Sequence, residues 1–182
     1  MKDKNRVCPA SEAKTLEGRV RKLVQDPKKI LKKYVKKGML VLDYGCGPGY
    51  FTVSMVEMGA RVIAADLQKD MLDLLKNKIK KTPFEKSIKL HKCEKDKMGV
   101  KSKVDFILAF YVIHEVPNKK GIFIEMKKIL KENGKILLVE PMFHVSKKDF
   151  LKTLKIAEAL GFRVVEKPRI FFSRGVILEN AS

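Results

Sequence analysis

A chain of 182 residues with 45% apolar side chains has the size of one ordinary domain and enough apolar mass for a real core. It contains no run of about 18 apolar residues, so no membrane-spanning helix and no membrane partner is expected. The opening MKDKNRVCPASEAK lacks the apolar centre of a secretory signal, so a cytoplasmic location is expected.

The 40 basic and 21 acidic residues leave a formal charge of +19. Such a charge invites a nucleic-acid partner. The cations are overwhelmingly Lys, however, and they lie opposite the apolar positions at helical spacing, as a solvated surface would. A small-molecule partner is therefore the first expectation and nucleic acid the alternative. So much like charge disfavours close self-association, which points to a monomer or a weak dimer. Three scattered cysteines, Cys8, Cys46 and Cys93, form neither a disulfide framework nor a zinc spacing, so no metal site is expected.

Taken in chain order, residues 1–14 read as an arm. Thr15 to Val35 is helical with a break at Asp26-Pro27, where Asp caps and Pro fits the first turn. Met39–Asp43 is a short apolar run without alternation, as in a strand buried on both faces. A glycine-rich turn follows, then a helix over Tyr50–Met58 and a strand over Arg61–Asp66. Lys69–Lys81 is an amphipathic helix. Ser87–Lys92 and Val104–Phe110 are strands, and Asn118–Lys131 is a helix stopped by Asn133-Gly134. Lys135–Glu140 is a strand, Ser146 caps a helix running to Leu160, and Phe162–Lys167 and Arg174–Glu179 form an antiparallel pair.

Strands alternating with helices predict an α/β fold: a doubly wound, mostly parallel seven-stranded sheet with helices on both faces and the last strand antiparallel. Residues 1–37 are expected to form an N-terminal lid, with Cys8 a candidate reactive group on it, and 38–182 the ligand-binding domain.

The informative segment is Val41-Leu42-Asp43-Tyr44-Gly45-Cys46-Gly47-Pro48-Gly49-Tyr50-Phe51-Thr52. It joins a strand to a helix, where open α/β sheets bind ligands. Gly45 and Gly47 leave room for a ligand to approach backbone, and Gly49 permits close packing where the helix begins. A dinucleotide fingerprint starting at Gly45 would need glycine at position 50, where Tyr50 stands. Asp43 at the strand end opposes a pyrophosphate and suits a cationic ligand.

This segment resembles the D/E-x-G-x-G-x-G motif of class I S-adenosylmethionine-dependent methyltransferases. Further matches occur in order: Asp66 in Ala65-Asp66-Leu67 at the end of the second strand, and Ala109-Phe110-Tyr111-Val112-Ile113-His114-Glu115 after the fourth. The resemblance runs from about Gly38 to the C-terminus. It implies a Rossmann-like methyltransferase fold with S-adenosyl-L-methionine as cofactor. It also implies that Asp66 accepts both ribose hydroxyls, as a carboxylate can from a vicinal diol. Cofactor contacts are then expected from Asp43, Gly45, Cys46, Gly47, Gly49, Tyr50, Asp66, Leu67, Ala109 and Phe110. Beside the adenine the family often has Asp-Ala, where this chain has Cys93-Glu94-Lys95-Asp96; Glu94 is the best match, with Cys93 and Asp96 as rivals.

Methyl transfer from a sulfonium requires in-line positioning of a nucleophile, and a base only where the acceptor loses a proton. His114 is the base candidate, with Glu115 orienting it or binding a cationic acceptor; Glu140 and His144 are second candidates. The Asn/Asp-Pro-Pro-aromatic tetrapeptide of base-amine methyltransferases is absent at Ala109–Val112. The expected activity is methyl transfer to a small molecule. The alternatives are an enzyme acting on RNA or another macromolecule, and a non-catalytic module that only binds the cofactor.

Overall fold

The computed structural model describes residues 25–181. The arm expected over residues 1–14, including Cys8, and the first half of the expected Thr15–Val35 helix lie outside the described residues. Asp26 caps α1 (Pro27–Leu31), its carboxylate accepting from the backbone N–H of Lys28 and Lys29; a cap of this kind contributes about 1 kcal/mol. Leu31 and Val35 are buried beyond it, but the helix itself is a single turn and a half.

Seven strands follow: β1 (Leu40–Tyr44), β2 (Arg61–Asp66), β3 (Ile88–Lys92), β4 (Val104–Phe110), β5 (Leu130–Pro141), β6 (Phe162–Glu166) and β7 (Ser173–Asn180). The helices between them are α2 (Tyr50–Glu57), α3 (Lys69–Ile79), α4 (Lys119–Ile129) and α5 (Lys147–Ala159). The strands form one sheet in the order β3-β2-β1-β4-β5-β7-β6. The first five are parallel, and β7 lies antiparallel between β5 and β6. The expected doubly wound, mostly parallel sheet is thus present.

Alternate residues of β1 serve opposite faces. Val41 joins the cluster under α1, α2 and α3 with Phe51, Met55 and Leu75; Leu42 joins the cluster under α4 and α5 with Phe123, Met126 and Phe150. Burial on both faces explains why the parallel strands read as continuous apolar runs.

The largest departure from the sequence reading is at β5, which begins at Leu130 and not at Lys135. Leu130 pairs with Val104, then the register jumps to Phe106 and Lys135. The helix has already ended at Ile129, so Asn133, at φ +62, does not stop it as expected, and the residues around it bulge from an already started strand. Chain order reverses at β1, whose neighbours are β2 and β4. The carboxyl ends of these strands therefore border the crevice where open α/β sheets bind ligands.

Candidate functional site

A cleft opens over those strand ends. It is lined from β1 and its turn by Asp43, Gly45, Cys46, Gly47 and Tyr50, from β2 by Asp66 and Leu67, from the end of β3 by Cys93 and Glu94, and from β4 by Phe110 to Val112. Glu115, Val116 and Pro117 close its far wall.

The glycine turn is held by Asp66. One carboxylate oxygen accepts the Gly47 N–H at 2.8 Å and the other the Gln68 N–H at 2.8 Å. The backbone N–H groups of Gly45 and Cys46 both donate to the Ala65 carbonyl. Gly47 has φ +52, and a Cβ built on it meets nothing within 4 Å, so its α-carbon faces the open cleft. Gly45 lines the cleft, but its Cβ position lies 2.5 Å from a methyl of Val112, so no side chain fits there. Its bareness lets β1 and the segment after β4 meet. Gly49 caps α2 in a left-handed conformation with Leu75 packed against it, and it does not line the cleft.

Asp43 is 2% exposed and accepts the Thr52 hydroxyl at 2.5 Å. Burial, opposed by Thr52 and assisted by the charge of Asp66, pushes its carboxyl up to about 7. Burial likewise raises Asp66, against its backbone donors. The Cys93 thiol is pushed up to about 12 and Cys46 well above its usual range, both chiefly by burial. Burial therefore disfavours the reactive thiolate form of both.

Ala109 is fully buried inside β4, outside the cleft, whereas Phe110 lines it. Glu94 lines the cleft beside Cys93 and Asp96 does not, which separates the three rivals only in part. His114 lies just outside the lining, in a 3₁₀ turn over Ile113–Glu115. Its Nδ1 is 2.5 Å from Glu140 Oε2, and its backbone N–H donates to Glu140 Oε1 at 3.0 Å. Glu115 Oε1 is 3.9 Å from Nε2, and the His144 ring stacks on His114 with centroids 6.2 Å apart. The two pairs weighed in the sequence, His114 with Glu115 and Glu140 with His144, thus form one group, and the carboxylate on the His114 ring nitrogen is Glu140 and not Glu115.

A polar knot at the cleft's edge was missed by the sequence. Tyr111, at φ +62, places its hydroxyl 2.5 Å from Ser173 Oγ. Gln25 donates to that same hydroxyl at 2.6 Å and accepts through its carbonyl from Tyr50. Gln25, within the segment expected as a lid, is thus bound to two cleft-lining tyrosines.

Residues 35–166 match the family model described as "Methyltransferase domain". Among curated proteins, the ribosomal protein L11 methyltransferase of Thermosipho melanesiensis is 34% identical over 110 residues, 60% of this chain and 40% of that protein. The ubiquinone biosynthesis O-methyltransferase of Pelagibacter ubique is 32% identical over 98 residues, 54% of this chain and 40% of that one. The chain spans less than half the length of these relatives. A crystal structure of a SAM-dependent methyltransferase from Aquifex aeolicus superposes with a TM-score of 0.84 at 26% identity, covering 94% of this chain and 98% of that one.

The chain belongs to the class I S-adenosylmethionine-dependent methyltransferase family. S-adenosylmethionine is the cofactor of that family. The cleft fits that group: an open glycine α-carbon, buried carboxylates for a cation and a diol, and a partly apolar wall.

Proposed function

We propose that the protein transfers a methyl group from S-adenosylmethionine to a small-molecule acceptor whose nucleophile carries a proton. The observation that carries this reading is the His114–Glu140 pair beside the cleft. A base is needed only where the acceptor must lose a proton, and a buried carboxylate on Nδ1 favours the proton there, leaving Nε2, on the Glu115 side of the ring, as the proton acceptor.

The bound sulfonium supplies an electrophilic methyl. The protein's own part is binding, alignment and proton removal. Asp66 would accept from the ribose hydroxyls while it holds the glycine turn. Asp43 would balance the positive charge of the methionine end, through or beside the turn. Gly47 and the start of α2 would admit the ligand's backbone-like atoms. Leu67, Cys93 and Glu94 would border the adenine, and Tyr50 and Phe110 would pack the methionine side. Alignment of this kind supplies up to about 7–11 kcal/mol. His114 would take the acceptor's proton, Glu140 would hold the ring, and Glu115 would bind a cationic part of the acceptor.

A cleft walled by Val112, Val116 and Pro117 and edged by Tyr111 favours a compact, partly apolar acceptor over a polymer. The test has two stages. Calorimetric titration should show binding of S-adenosylmethionine and S-adenosylhomocysteine but not NAD. Methyl-labelled cofactor, offered with metabolite extract, RNA and ribosomal protein in parallel, should then label the small-molecule fraction. Label confined to RNA or protein would overturn the acceptor class.

A further inference from the structure

The large apolar side chains left exposed among the described residues are concentrated on one face. Phe143 is 71% exposed, Phe172 62%, Phe171 54%, Met142 48% and Leu151 47%. They come from three pieces of chain: the β5–α5 loop, the outer side of α5 and the β6–β7 loop. The two loops are tied together, because the Met142 N–H donates to the Phe172 carbonyl at 3.0 Å and Phe171 packs edge-on against Phe172. Behind Phe171 lies a groove floored by Phe150, Leu154, Ile170 and Val176.

The same face is cationic. Lys147, Lys148, Lys167 and Arg169 are exposed around the rings, and Lys147, Lys167, Arg169 and Arg174 rim the groove with no carboxylate among its lining residues. Two acidic groups on these elements are paired, and Glu158 is exposed in the last turn of α5. Asp149 meets Ser146 and Lys152, and Glu166 meets Lys33 and Tyr34. Protruding aromatic rings among lysines suit the interface of an anionic bilayer, where rings enter the headgroup level and cations meet lipid phosphates. Single-stranded nucleic acid would use the cations and could stack its bases on the rings, but it has no use for the exposed aliphatic side chains of Met142 and Leu151 beside them, which a lipid interface takes up.

The face also adjoins the cleft. Phe143 packs edge-on to Tyr111, a lining residue, at 6.5 Å between centroids, and against His144 at 5.0 Å. Gln25 joins Tyr111 to the Phe171 carbonyl.

We infer that this face docks the protein on the surface of anionic membranes, with Phe143, Phe171 and Phe172 entering the interface and the surrounding lysines and arginines meeting the headgroups. Docking sets the cleft mouth beside the bilayer, where an acceptor dissolved in lipid would be within reach. The docking itself rests on the face alone and not on the proposed reaction.

Flotation of the full chain with vesicles of phosphatidylcholine, alone or with about 30% phosphatidylglycerol, tests it. Binding to the anionic vesicles only, weakened by salt, is expected. Two sets of substitutions separate the components. Phe143→Ser with Phe172→Asn removes the rings; Asn suits position 172, whose φ is +48. Lys147→Glu with Lys148→Glu reverses charge in the first turn of α5, where acidic residues are favourable. Each pair should lower partitioning by about tenfold or more, while binding of S-adenosylhomocysteine shows that the variants are folded. No flotation of the parent chain at low salt would overturn the inference. So would flotation that the ring variant retains, or that a soluble RNA competitor abolishes in parent and ring variant alike, since charge alone would then account for it.

Discussion

Glu140 holds His114 at two points, through the ring nitrogen at 2.5 Å and through the backbone N–H at 3.0 Å. The residues are 26 apart in sequence, but β4 and β5 are parallel neighbours, so both lie at the same edge of the sheet. A carboxylate bound twice fixes where the imidazole sits as well as which nitrogen carries its proton. Glu140→Gln keeps an acceptor for the backbone N–H but loses the charge behind the ring. It should lower kcat by about 100-fold, within the usual range for a general base, while leaving affinity for S-adenosylhomocysteine within about twofold. A fall in cofactor affinity of the same size as the fall in kcat would show that Glu140 only holds the structure together.

Asp66 bonds the Gly47 and Gln68 N–H groups and also faces the cleft. Asp66→Ala therefore removes two bonds from the turn and the proposed diol contact. A hydrogen bond to a charged group contributes about 1.5–3 kcal/mol. The affinity for S-adenosylhomocysteine, read by calorimetry, should fall about tenfold or more. Asp66→Asn retains one acceptor oxygen and should lose less. Equal affinity in parent and Asp66→Ala would remove Asp66 from the cofactor site.

Much of this was legible in the sequence, for identifiable reasons. β1, β2 and β4 are buried on both faces, so their apolar runs mark them within a residue or two. Asp43, Gly47 and Asp66 were found because strand-end carboxylates and a glycine turn need only local spacing. The bulged start of β5 was not legible, since Lys131–Gly134 carry the composition of a helix stop and only pairing with β4 makes them part of a strand. Nor was the Gln25–Tyr111–Ser173 knot, whose members lie 86 and 62 positions apart. The exposed phenylalanines read as strand or loop residues until the tie between Met142 and Phe172 places their loops together.

Gly47 and Gly49 offer a contrast within one turn. Both have positive φ, so alanine at either position is strained, by about 1–2 kcal/mol. A methyl at 47 enters open cleft, whereas one at 49 runs into Leu75. Gly47→Ala should cost only the backbone term in stability yet weaken cofactor binding strongly. Gly49→Ala should cost more in stability, with affinity reduced only indirectly. Thermal melting beside calorimetric titration separates the two, and a Gly47→Ala protein that binds normally would show that the open α-carbon is not where the ligand sits.

The buried carboxyl of Asp43 makes stability and binding depend on pH in opposite senses. Its folded value, about 7, is well above the ordinary carboxylate value of 3.8. Folding therefore favours the protonated form. The stabilisation is complete below about pH 4 and is lost as pH rises through 7. A shift of about three units corresponds to about 4 kcal/mol, and Asp66 is raised in the same direction. The cofactor-free protein should therefore melt higher at pH 5.5 than at pH 8, and Asp43→Asn, which keeps an acceptor for Thr52, should flatten that dependence. A cationic ligand favours the ionised carboxylate, so affinity for S-adenosylmethionine should rise over the same interval, with up to one proton released on binding. Calorimetry in buffers of different ionisation enthalpy measures that proton directly. If the parent protein releases none near pH 6.5, or releases as much as Asp43→Asn does, Asp43 does not answer the cofactor's charge.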